Sequence, residues 1–81
     1  MQIEAREDSH SVDGLSYHFQ RGQIAYMVTV DEYGYVVWRN HVNKRNRAGG
    51  LSNTLYQNGK DHNGKPMPKF MKKAIEFIEA G

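Results

Sequence analysis

Three stretches of this chain alternate apolar and polar residues with period two, the pattern of strands that bury one face. Met1, Ile3 and Ala5 alternate with Gln2, Glu4 and Arg6, and Leu15, Tyr17 and Phe19 alternate with Ser16, His18 and Gln20. Ile24, Tyr26, Val28 and Val30 then put the apolar set on even positions. That change of parity predicts a two-residue hairpin loop at Arg21-Gly22, pairing Phe19 with Ile24, Tyr17 with Tyr26 and Leu15 with Val28. A three-residue loop Glu32-Tyr33-Gly34, with Gly34 left-handed, next pairs Val30 with Val36 and Val28 with Trp38. The expectation is an antiparallel meander over residues 15–20, 23–31 and 35–42. Residues 1–7 add a fourth strand, joined through a turn at Ser9–Gly14.

From Asn43 to Lys65 the alternation dissolves into Asn, Gly, Lys and Arg. Leu51, Leu55 and Tyr56 can line a short helix stopped at Asn58-Gly59; otherwise the stretch at about 43–65 is a basic Gly/Asn-rich loop. The period changes again towards the end of the chain. Met67, Phe70, Met71, Ala74, Ile75 and Ile78 form one stripe of an amphipathic helix, with Pro66 and Pro68 in its first turn and Gly81 at its end. The fold class is therefore α+β: one small domain over 1–81, in which a sheet of three to four antiparallel strands carries a C-terminal helix on one face. The inward set is Tyr17, Phe19, Tyr26, Val28, Val30, Val36 and Trp38 against Phe70, Met71, Ala74, Ile75 and Ile78.

Charge changes this picture by dividing the chain. Residues 1–32 hold six acids and two bases, whereas residues 33–81 hold nine bases and three acids. Clustered cations of this kind bear on partners more than on fold. The chain has no cysteine, so thiolate chemistry and disulfides are excluded. The N-terminal stretch lacks a signal-peptide pattern, and the longest apolar-rich run, Ile24 to Val30, is far short of the ~20 residues of a membrane helix. The expectation is a soluble cytoplasmic protein whose oligomeric state is open.

The register also assigns an outer sheet face: Ser16, His18, Gln23, Ala25, Met27, Thr29, Tyr35, Val37, Arg39 and His41. Within it, Met27, Tyr35 and Val37 are the candidate interaction surface. Arg39, Lys44, Arg45 and Arg47 are of the type that contacts phosphate, while His41, Asn43 and Asn46 can reach bases or sugars. Lys69, Lys72 and Lys73 extend the cationic set. They stand in the first half of the helix, with Glu76 and Glu79 in the second, against the preference of the helix dipole.

A three-stranded meander followed by a helix, with Gly34 ahead of a tryptophan-bearing third strand, resembles the AP2-type and integrase arm-binding DNA modules. The resemblance covers Leu15–Trp38 and the general position of the helix. It implies an outer sheet face that enters a DNA groove. The sequence thus points to a small nucleic-acid-binding protein, with DNA favoured over RNA. The alternative is an inhibitor or adaptor of the kind carried on mobile elements, which binds an acidic or otherwise complementary protein partner through the same charged and aromatic surface.

Catalysis and metal binding find little support. Gly59 to Lys65 matches the GxxxxGK skeleton of a phosphate-binding loop, but Pro66 replaces the hydroxyl residue and no buried strand precedes it. The predicted register separates His18 and His41 by two strand spacings, ~9.5 Å, too far for a shared zinc. Asp61-His62, with His41 as partner, has the residue types of a nuclease metal element, but no second His or Asn at supportive spacing backs it. No catalytic residue, metal or cofactor is assigned, and the expected class is non-enzymatic.

Overall fold

The computed structural model describes residues 2–42 and 51–81. Five strands form one antiparallel sheet: β1 (Glu4–Glu7), β2 (Leu15–Arg21), β3 (Ile24–Asp31), β4 (Gly34–His41) and β5 (Leu51–Tyr56), in that spatial order. One helix, α1 (Lys69–Ala80), follows and packs on one face. The α+β class and meander order agree with the sequence reading; the strand count is five rather than three to four.

The fifth strand lies where a short helix was the alternative. Its residues Leu51 to Tyr56 pair with β4 from Asn40↔Leu51 to Tyr35↔Tyr56. Asn58-Gly59 does not stop a helix but turns a hairpin: Gln57 and Lys60 exchange both backbone hydrogen bonds, and the two loop residues have φ of 54° and 80°. Two positive φ values are the signature of a type I′ turn, for which Asn-Gly is the preferred pair. The GxxxxGK skeleton continues this loop. Asp61 Oδ1 accepts from the backbone N–H of Asn63 and Lys65, each at 2.9 Å, so the segment is a side-chain-stabilised turn.

Both central hairpins close differently from the expectation. Gly22-Gln23, not Arg21-Gly22, is the first loop, with Gly22 at φ 61° and Phe19 opposite Tyr26. This slides the pairing by two residues and leaves every side chain on its expected face. The second loop is Glu32-Tyr33, closing on Asp31↔Gly34, so Val28 faces Val37 and Met27 faces Trp38. Here the slip is one residue, and it turns β4 over. Tyr35, Val37 and Arg39 point towards the helix, while Val36 and Trp38 point away. Gly34, at φ 157°, is far from the ~+57° of the left-handed region that the longer loop required.

The core lies between the inner sheet face and α1. Phe19, Tyr26, Val28, Val37 and Tyr56 meet Met67, Met71, Ala74 and Ile75, all buried, with Phe70 and Ile78 at the margin. Phe19 stacks on Tyr26 at 5.0 Å between ring centroids, and Phe70 meets Tyr26 edge-on at 5.4 Å. The helical stripe follows the predicted period, but the helix begins at Lys69. Pro66 and Pro68 therefore precede it rather than forming its first turn. No helix among the described residues is long and apolar enough to cross a membrane.

Candidate interaction face

The turned-over β4 rebuilds the surface that faces away from the helix. From β2 to β5 the outer positions include Ser16, His18, Gln20, Ala25, Met27, Thr29, Asp31, Val36, Trp38, Asn40, Asn53 and Leu55. None of these is a lysine or arginine, and the one acid among them, Asp31, stands at the loop end of β3, away from Met27 and Trp38. On β1 the outward Glu4 and Arg6 side chains pair with each other. Met27, Val36, Trp38 and Leu55 are all partly exposed, and the described elements place no second layer over them.

The middle of this face holds a shallow depression of about 370 Å³, lined by His18, Ala25, Met27, Trp38 and Asn40 among others. The indole Nε1–H of Trp38 is buried and finds no acceptor among the described residues. Leaving such a donor unmet costs about 1–3 kcal/mol. Beside it, His18 Nε2 and Ser16 Oγ lie 2.7 Å apart. Burial first, and then the Arg6 charge, hold the His18 imidazole below its ordinary value of 6.5. This pair has the distance of a nucleophile and base, but Ser16 is only 3 % exposed, so a substrate has no path to its hydroxyl.

The predicted binding residues separate. Met27 is on the outer face as expected. Tyr35 and Val37, expected beside it, are not: Val37 is fully buried in the core, and the Tyr35 hydroxyl donates to Glu79 of α1 at 2.9 Å. Arg39 is also turned inward. Its guanidinium donates to Thr54 Oγ1 and to the Tyr56 hydroxyl, each at 2.9 Å, and lies 6.0 Å from the Tyr26 ring centroid. These contacts make Arg39 a clamp between β4 and β5. His41 is exposed at the end of β4 on the same inner side, opposite Ile24, so it and His18 lie on opposite faces. Lys69, Lys72 and Lys73 are exposed on α1, across the molecule from Met27. Asn43, Lys44, Arg45, Asn46 and Arg47 lie outside the described residues.

Trp38, Val36 and Leu55 are the outer-face residues that sequence reasoning assigned elsewhere. The available signal was Asn58-Gly59, which as a hairpin makes the preceding segment a strand. Among the described residues, no three His, Asp or Glu side chains stand close enough to hold a metal ion. Compared with known proteins, the chain matches no family model, no curated protein and no solved structure.

Proposed function

We propose that this is a small non-enzymatic binding protein, an adaptor or inhibitor, that takes a protein partner on the outer face of its sheet. One observation carries the reading: the centre of the outer face, around Trp38 and Met27, presents no lysine, arginine, aspartate or glutamate and is left uncovered by the described elements. The centres of protein interfaces are depleted in charge and enriched in aromatic residues and methionine. The partner this chemistry fits presents an apolar surface of its own.

A nucleic-acid reading keeps a specific observation in its favour: Lys69, Lys72 and Lys73 are all exposed, as are Lys60 and Lys65 earlier in the chain. Such contacts would come from the helix side and read phosphate rather than sequence. They leave the outer sheet face, the part the DNA-module resemblance relies on, without a cation from β2 to β5.

Affinity capture with the wild-type protein, compared with Met27→Asp and Trp38→Ala, tests the first reading. Both variants should stay folded and lose the captured partner, while a Lys69/Lys72/Lys73→Glu triple variant retains it. The opposite pattern overturns the reading. Fluorescence anisotropy on labelled DNA and RNA across salt tests the second. Five neutralised phosphates would give a slope of about −4.5 in log K against log salt, and a flat response removes it.

A further inference from the structure

A second concavity lies on the other side of the sheet, between α1 and the ends of β4 and β5. Its volume is about 470 Å³, within the ~300–1,000 Å³ range of small-ligand sites. Tyr33, Tyr35 and Tyr56 contribute from the sheet side, and Lys72, Glu76 and Glu79 from the helix. We propose that this cavity receives a cationic side chain, the guanidinium or alkylammonium group of an arginine or lysine presented by a partner.

Three features converge on that chemistry. First, two carboxylates and one ammonium leave the rim with a net negative charge. Among the described residues, Glu76, Glu79 and Lys72 form no ion pair. Second, the Tyr35 hydroxyl holds Glu79 at 2.9 Å, fixing one acceptor before a ligand arrives. An acceptor already in place spares part of the ordering cost of binding. Third, tyrosines offer aromatic surface to a cation, worth ~0.5–1 kcal/mol at exposed sites and more where water is excluded. Tyr33 is 64 % exposed at the mouth, an arrangement its place in the β3–β4 loop imposes.

The wall beside these residues is held closely. A Cβ on Gly34 would overlap the Tyr56 carbonyl oxygen, so β4 and the end of β5 approach each other as only glycine allows. This site lies on the helix side of the sheet and does not rest on the outer-face reading.

Backbone-amide NMR titration with N-acetyl-arginine methylamide and N-acetyl-lysine methylamide tests it. The neutral isostere N-acetyl-citrulline methylamide is the control. Saturable shifts at the Gly34 and Gly59 amides with either cation, absent with citrulline, are the expected result. Which of the two binds more tightly distinguishes guanidinium from ammonium. Glu76→Gln with Glu79→Gln should weaken the response by about tenfold or more. Glu76→Gln alone, which leaves the Tyr35–Glu79 contact intact, should weaken it in the same direction if the double variant does not fold. Equal shifts with citrulline, an unchanged response in a folded variant, or no saturable shift with either cation overturns the proposal.

Discussion

Three side chains define what individual residues do here. Arg39 ties Thr54 and Tyr56 to β4 instead of meeting a ligand. Arg39→Met, which keeps the stem but removes both donors, should cost about 1–2 kcal/mol in urea unfolding and leave any nucleic-acid affinity unchanged. Tyr35 adds to the alkaline sensitivity. Burial, together with the Glu79 acceptor, pushes its hydroxyl from 10.0 up to about 12. Above pH 10 the unfolded chain releases a proton that the folded chain keeps, so stability falls as pH rises from 10 towards 12. Tyr35→Phe should flatten that fall, as read from urea midpoints across the window. His18 acts at the other end. Its folded pKa is depressed mainly by burial, so the unfolded chain takes up the proton first as pH drops below 6.5. Its contribution is complete above 6.5 and declines below it, and His18→Gln should remove this part of the acid sensitivity.

At the scale of elements, the register of β4 decides which residues serve the core and which serve the surface. Gly34→Ala should therefore do more than strain one residue. Its methyl group would collide with the Tyr56 carbonyl and force β5 off β4, with a loss of about 2 kcal/mol or more in chemical denaturation. The meander was legible because β2 and β3 alternate cleanly, and the helix because its stripe holds a 3.6-residue period over three turns. β4 was not, for a physical reason: residues 35–38 read Tyr-Val-Val-Trp, apolar on both faces, so period two has no preferred direction. Turn length then decides the register, and the two-residue loop wins. β5 hid for the opposite reason. Ser52 and Thr54 place polar groups on the inner face, where the Arg39 clamp uses Thr54 as an acceptor, so no apolar alternation marks the strand. The candidate site inherited both misreadings: Met27 was placed correctly, while Trp38 and Val37 exchanged faces.

The whole molecule has two unlike sides. The outer face centred on Trp38 and Met27 and the lysine-bearing helix are separated by the thickness of the sheet, so no single flat partner covers both. Val37→Asp shows the difference. On an outer face it would probe a partner; in the core it buries an unpaired charge, and the protein should unfold, visible as loss of near-ultraviolet circular dichroism. The strand order β1-β2-β3-β4-β5 has a further consequence, for how the chain reaches this state. Each strand pairs with its neighbour in sequence, so sheet formation needs only short loop closures and can proceed one hairpin at a time. The exception is α1, which follows all five strands in the chain and must fold back across them. Until α1 docks, the apolar inner face is without its cover. That interval, in which a sheet stands bare on both sides, is where this protein is most open to aggregation.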